Sequence, residues 1–355
     1  MDYKQKLNEL LLTCAKQEAS DLHIAVGRHP TLRIDGALVP LTSDPILMPQ
    51  DVEQLIASFL SEQQQGELSL RRQVDFSYAY EDKARFRVNA YYQRGYMAAA
   101  LRLIPAKVRT LEELRMPPIL HDFTSLSQGF VLIVGPAGHG KSTTLAALLD
   151  EINHNRTEHI ITVEDPIEYI FVQDKSIVSQ REVKSDTPDF SQALRSILRQ
   201  DPDVIMIGEM RDTESIATAL TAAETGHLVF STLHTNSAAQ TVDRIIDSFP
   251  SEQQAQVSSQ LAATLVGIVS ERLIPRVEGG RAPACEIMIA NPAIRNLIRE
   301  RKTYQIDLVI ETNAQEGMVT LNRSLADLVR QREISLENAE TYSLNPSELR
   351  ILLEK

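Results

Sequence analysis

The chain has 355 residues, room for about two domains of ordinary size. Hydrophobic residues make up 43% and charged residues 24%, a globular balance, and no apolar run approaches the roughly 20 residues that span a bilayer. The formal net charge of −12 offers no broad basic footprint, which argues against helicases, recombinases and proteins held on anionic lipid.

The start, MDYKQKLNELLLTCAKQ, mixes acids, bases and Leu and reads as a short amphipathic helix rather than a secretory signal, so a cytoplasmic protein is expected. SDLHIAVG and TLRIDGALVPL follow as strand runs, with Asp35-Gly36 between apolar stretches as a hairpin signal. Residues 51–61 (DVEQLIASFLS) have helical spacing, and VDFSYAY, ARFRVNAYY and MAAALRLI read as strands, with Gln93-Arg94-Gly95 as a turn. Residues 1–104 are therefore expected to form a smaller α+β domain. Residues 105–117 are expected to be a linker, and 118–355 an α/β domain with a mainly parallel sheet. Its strand runs are FVLIV (130–134), HIITV (159–163), VIMI (204–207), LVFSTL (228–233) and CEIMI (285–289). Helical stretches such as STTLAALLDEI and SIATALTAAETG lie between them. Cys14 and Cys285 form no C-x-x-C pair. That excludes a zinc knuckle and leaves two packing thiols suited to a reducing compartment.

Gly135-Pro136-Ala137-Gly138-His139-Gly140-Lys141-Ser142 fits G-x-x-x-x-G-K-[ST], and Thr143 continues it. A buried strand run precedes it and a helical run follows. The glycines let backbone N–H groups turn toward phosphate oxygens, and the helix N-terminus adds a positive dipole end. Lys141 supplies a cation for the β- and γ-phosphates, and Ser142 a hydroxyl for Mg²⁺. The expected ligands are thus ATP and Mg²⁺. His139 stands where small residues are common, either solvated or touching phosphate.

Three later strand runs end in functional groups: HIITV in Glu164-Asp165, VIMIG in Glu209 with Met210-Arg211-Asp212 behind it, and LVFSTL in His234. Ligands of open parallel sheets bind beyond the carboxyl ends of strands, so these groups are expected beside the phosphate loop. One carboxylate can hold the waters of Mg²⁺ and another can orient the attacking water. Glu209, longer than the usual Asp, points to a metal held partly through water. A strand-end histidine such as His234 is also consistent with plain packing.

GPAGHGKST, ITVEDPIEY, ALRSILRQDPDVIMIGEMRD and TGHLVFSTLHTNSA resemble the four signature blocks of secretion and pilus ATPases: the P-loop, the Asp box, a variant Walker B segment and the His box. ARFRVN and AIRNLIRE narrow the resemblance to the type IV pilus retraction ATPases. It covers the chain from about residue 20 to 329. It implies a RecA-like P-loop domain behind a PAS-like N-terminal domain, and a hexameric ATP-hydrolysing motor that retracts pili and drives twitching motility. Glu164 would polarise water, and Glu209 would be the Walker B acid. His227 and His234 would couple nucleotide state to neighbouring parts, with Arg195 and Arg199 beside the site. The loop departs from the usual T-G-S at Ala137-Gly138-His139. Gln200 stands where Glu is usual and Ser231 where Gly is common.

Arg85, Arg87 and Asn89 share one face of ARFRVNAYY, and Arg102 lies on a matching face of MAAALRLI. Alternation alone leaves this stripe as either a solvated face or a functional one. The resemblance implies that such arginines reach the phosphates, as arginine fingers do. Asn291-Pro292 reads as a helix start before an apolar face of Ile294, Leu297 and Ile298. By resemblance Arg295, Asn296, Leu297, Arg299 and Glu300 form a segment needed for retraction rather than hydrolysis. The implied partners are five further copies in a homohexamer and a pilus platform protein at the inner membrane, where the motor would dock. A paralogous accessory ATPase is a further possible partner, and no nucleic acid is expected. An accessory retraction ATPase, an extension or secretion ATPase, and a RecA-like nucleic-acid translocase are the rival readings.

Overall fold

The computed structural model describes residues 2–354 apart from 18, 35, 82–83, 105–106 and 211. Asp35 of the expected hairpin turn, Pro105-Ala106 of the expected linker, and Arg211 lie outside the described residues. The chain divides into Met1–Lys107 with Pro166–Ile170, and Val108–Asp165 with Phe171–Lys355.

The first unit carries α1 (Tyr3–Lys16), β1 (Asp21–Ala25), β2 (Thr31–Ile34), β3 (Ala37–Pro40), α2 (Pro49–Ala57), α3 (Glu62–Arg71), β4 (Gln73–Tyr80), β5 (Ala84–Gln93) and β6 (Tyr96–Ile104). The strands form an antiparallel sheet in the order β3-β2-β1-β6-β5-β4. Leu22, Ile24, Leu32, Phe86, Val88 and Leu101 are buried from the sheet, in one core with Leu7, Leu10, Leu11 and Cys14 of α1 and Val52, Leu55 and Ile56 of α2. Between β5 and β6, Gln93 pairs with Tyr96, so Arg94 and Gly95 alone make the turn, both with positive φ (52° and 83°). That is the twist-matched hairpin geometry. α3 escapes a periodicity reading, because EQQQGELSLR buries only Leu68. A capping box between Ser61 and Gln64 starts it instead.

The second unit opens with α4 (Leu120–Thr124), β7 (Gly129–Val134), α5 (Lys141–Asn155), β8 (His159–Glu164), β9 (Ile177–Glu182), α6 (Phe190–Ile197) and β10 (Val204–Ile207). Then come α7 (Thr213–Glu224), β11 (Leu228–Leu233), α8 (Ala238–Asp247), α9 (Ser251–Thr264), β12 (Leu265–Pro275), β13 (Arg281–Ile289) and α10 (Pro292–Arg299). The short helices α11 (Ile306–Thr312), α12 (Leu321–Arg330), α13 (Leu336–Tyr342) and α14 (Pro346–Glu354) complete it. The sheet order is β13-β12-β7-β11-β10-β8-β9. All neighbours are parallel except β12 and β13. β7, β10 and β11 are buried at every residue, as strands covered on both faces require.

Two strands were not foreseen. β12 follows α9 without an intervening residue, so no turn marks its start, and β9 (IVSQRE) is a half-exposed edge strand with little apolar content. The CEIMI run is the end of a longer strand, β13, and it runs antiparallel. Parallel register lines up the carboxyl ends: Val134 of β7 lies beside Leu233 of β11, Ile207 of β10 beside Ser231, and Val163 of β8 beside Ile207. Among the described residues no helix is long and apolar enough to cross a membrane.

Candidate active site

The loop Gly135–Gly140 leaves the carboxyl end of β7 and enters α5 at Lys141. Two of its glycines are dictated by space as well as by φ. A Cβ on Gly135 (φ 140°) would lie 2.3 Å from the Glu271 carbonyl oxygen, and one on Gly140 (φ 99°) 2.2 Å from the Glu271 carboxyl. Lys141 is 7% exposed, and its Nζ donates to the carbonyls of Gly135 and Pro136 at 2.9 Å each. The amine is thereby held inside the curl of the loop. The first-turn N–H groups of α5, including those of Ser142 and Thr143, have no acceptor within the helix and point toward its N-terminal end. Together they make a cationic cradle for phosphate.

His139 is not a solvated loop residue. Its Nδ1 accepts from the Leu273 backbone N–H at 3.0 Å, and its ring meets Tyr342 edge-on at 6.2 Å. Burial, then Arg272, Arg281 and Lys141, lower its pKa, so the ring stays a neutral acceptor. Arg281 donates to the Gly138 carbonyl at 3.0 Å. The unusual histidine thus ties the loop to β12. The Ser231 departure is also accommodated, since its buried hydroxyl donates to the Ile207 carbonyl at 2.8 Å.

The strand ends converge. His234, just past β11, has Nδ1 3.3 Å from Lys141 Nζ and Nε2 3.4 Å from Glu209 Oε2. Glu209 stands two residues beyond β10. Glu164 ends β8 and is 7% exposed. Its Oε1 accepts from the Thr162 hydroxyl at 2.7 Å and from Gln180 Nε2 at 3.2 Å, which fixes the carboxylate. Gly208 packs against it: a Cβ there would sit 3.4 Å from Glu164 Cα. A cation, a histidine and two carboxylates therefore occupy one edge of the sheet. That set can hold phosphate and position a water.

Other expected residues are placed elsewhere. His227 precedes β11, at the opposite end of the strand from His234, about 20 Å away at strand rise. Its Nδ1 lies 2.9 Å from the Ala222 carbonyl, and it packs against α7. Arg199 follows α6 two residues before Asp201, whose carbonyl lies 3.1 Å from His159 Nδ1 at the start of β8, again on the far edge. Arg195 is engaged by Glu214 of α7, its Nε donating at 2.9 Å. Among the described residues, none of these hydrogen bonds runs to the phosphate loop. In the first unit Arg87 lies directly opposite Arg102 across β5 and β6, and Arg85 opposite Ile104. Arg102 Nε donates to Asp21 at 3.0 Å. Asn89 Nδ2 donates to Asp75 at 3.0 Å, opposite it on β4, so the stripe exists with Asp21 and Asp75 set into it.

In α10, Asn291 caps the helix by accepting from the Ile294 N–H at 3.0 Å, and Ile294, Leu297 and Ile298 are buried. Arg295 donates to the carbonyls of Ala290, Ala262 and Ala263 at 2.7, 2.7 and 2.6 Å. It therefore closes the end of α9 and is not an open contact. Leu297 is likewise packed. Arg299 is exposed, and Asn296 donates to Glu300 at 3.0 Å along the outer side.

The site also uses residues that motif reading did not single out. Glu271 of β12 is 2% exposed and accepts from the Thr144 hydroxyl at 2.7 Å, directly behind the loop. Gln180 comes from the unforeseen β9. Only the strand pairing brings either of them to the site, so no local signal could have found them.

Residues 3–341 match the family model described as "Type II/IV secretion system protein". The "Type IV pilus retractation ATPase PilT" of Pseudomonas aeruginosa is 49% identical over 340 residues, 96% of this chain and 98% of that protein. A "Twitching motility protein" of Neisseria gonorrhoeae is 45% identical, over 89% of this chain and 84% of its own length. A crystal structure of the pilus retraction motor PilT with bound ADP superposes with a TM-score of 0.91 at 47% identity, covering 97% of this chain and 98% of that one. The chain belongs to the type II/IV secretion system protein family and, within it, to the PilT-like pilus retraction ATPases.

Proposed function

We propose that this chain is an ATP-hydrolysing motor that powers retraction of type IV pili. The observation that carries the reading is the unbroken line Lys141–His234–Glu209, with steps of 3.3 and 3.4 Å, at the sheet edge that also holds Glu164. The loop N–H groups and Lys141 bind the β- and γ-phosphates. Glu164, oriented by Thr162 and Gln180, accepts a proton from the attacking water. His234 spans the lysine and Glu209, so a change in phosphate charge at one is felt at the other. A hydroxyl and carboxylates are hard oxygen donors of the kind Mg²⁺ takes, and Ser142 and Glu209 would hold the ion, Glu209 partly through water. The ion would neutralise phosphate charge.

The near-full-length similarity to retraction motors supports a homohexamer that works in the cytoplasm against a platform protein in the inner membrane. In such a ring Arg85, Arg87 and Arg102 would serve a triphosphate as arginine fingers. His227, Arg195 and Arg199 would act between neighbouring parts rather than at their own chain's loop. On α10, Arg299, Asn296 and Glu300 form the partner-facing side. Two assays test this: Mg²⁺-dependent ATP hydrolysis by purified protein, and pilus retraction in cells carrying Arg299→Ala. Turnover with lost retraction is the expected result for that variant. A wild-type protein without ATP turnover would remove the motor reading.

A further inference from the structure

Behind the phosphate loop lies a buried carboxyl whose placement the motor reading does not explain. β12 runs beside β7, with Ser270 paired to Val134, so Glu271 sits under the point where the loop begins. Its carbonyl oxygen fills the space a side chain at Gly135 would need, and its carboxyl fills that space at Gly140. Oε2 accepts from the Thr144 hydroxyl at 2.7 Å, in the first turn of α5. One residue thus touches both ends of the loop and the helix that follows. A neutral, apolar side chain would fill the same volume at no charge cost, and burying a lone carboxylate is expensive.

We propose that Glu271 is a positioning residue for nucleotide phosphate, acting through Lys141 and the loop it braces, and that its carboxyl takes up a proton as phosphate arrives. This rests on the reading of the loop as a nucleotide site. Several groups face the carboxyl from the elements around it. Lys141 and Thr144 come from α5, and Arg281 and Cys285 from β13, with Cys285 directly opposite in register. Arg272 follows on its own strand. Burial drives the Glu271 pKa up to about 7, while the Thr144 hydrogen bond, Lys141 and Arg281 restrain it. Burial also holds the Cys285 thiol neutral. Phosphate at Lys141 cancels one of the two restraining charges and adds negative charge nearby. Both effects favour the protonated carboxyl. The sign follows: the bound state holds more protons, so nucleotide affinity falls as pH rises through about 7.

The test is ADP binding to the full chain by calorimetry, in two buffers of different ionisation enthalpy, across pH 6 to 8. If binding moves the carboxyl by one unit, wild-type protein takes up about half a proton per ADP near pH 7.5 and binds about fivefold more weakly at pH 8 than at pH 6. Glu271→Gln keeps the shape and the Thr144 acceptor, so after subtraction of the titration of ADP itself it should show neither effect. Thr144→Val keeps the carboxyl but removes a restraint, and should move the midpoint to higher pH. Equal proton counts in wild type and Glu271→Gln overturn the proposal. So does an unmoved midpoint in Thr144→Val, which carries the test alone if Glu271→Gln does not fold. Wild-type protein that binds no ADP at all would instead sink the nucleotide reading itself.

Discussion

The two edges of the seven-stranded sheet use the same residue types for different ends. At the carboxyl edge, Lys141, His234 and Glu209 form a line of contacts, with Glu164 at the end of the neighbouring β8 and the loop braced by Glu271. At the amino edge, His227, Asp203 and Arg295 spend their polar atoms on backbone: the Ala222 carbonyl, the His159 N–H, and the carbonyls that end α9. Histidines seven positions apart in a single sequence block therefore differ in kind. Strand length separates them. A parallel sheet places loops that can hold ligand at one edge, and closes the other with caps.

The largest expected effect comes from breaking the carboxyl edge. Lys141→Ala removes the cation that the loop curls around, and Glu164→Gln removes the proposed base. Each should lower ATP turnover by about 10³ or more, as loss of a charge-stabilising or proton-accepting group does elsewhere. Steady-state hydrolysis by purified variants measures this. Turnover within a few fold of wild type in Glu164→Gln would take the base role away from that residue.

The comparison itself is sharpened by the histidine pair. His234→Ala interrupts the line from Lys141 to Glu209 and should reduce kcat by about 10²-fold. His227→Ala removes ring hydrogen bonds that, among the described residues, go to Ala222 and Thr225, so ADP affinity should stay within about twofold while any loss appears in turnover of the assembled ring. Equal losses of ADP affinity in both variants would erase the distinction between the edges.

How far this was readable in the sequence follows the same division. The phosphate loop and the strand-end groups are local: a buried run, then the residue that leaves it. Alternation on β5 and β6 foretold that Arg85, Arg87 and Asn89 share a face opposite Phe86 and Val88, because a strand has only two faces. Glu271 was silent, since its meaning depends on β12 lying beside β7, 136 positions along the chain from Gly135. His139 looked like a loop anomaly until the Leu273 N–H was seen to donate to it. Arg295 looked like the twin of Arg299 because helical spacing records which side of a helix a residue is on. It does not record whether another helix ends there.

That last pair gives the smallest effect and the finest test of the amino edge. Arg295 and Arg299 are four apart on α10, both cationic and both on its polar side. Arg295 supplies three hydrogen bonds to carbonyls that α9 and β13 cannot satisfy themselves. Arg295→Ala strands those acceptors and should cost about 2 kcal/mol of stability, lowering the unfolding midpoint by several degrees. Arg299→Ala removes an exposed side chain and should change stability by less than about 0.5 kcal/mol. Thermal unfolding of the two single variants separates them, and the order matters for any assay of retraction. A double variant that fails in cells would confound a weakened fold with a lost contact, whereas Arg299→Ala alone reports on the outer face. An Arg295→Ala protein as stable as wild type would show that the capping carbonyls find other donors. The amino edge would then be as open to partners as the family resemblance suggests.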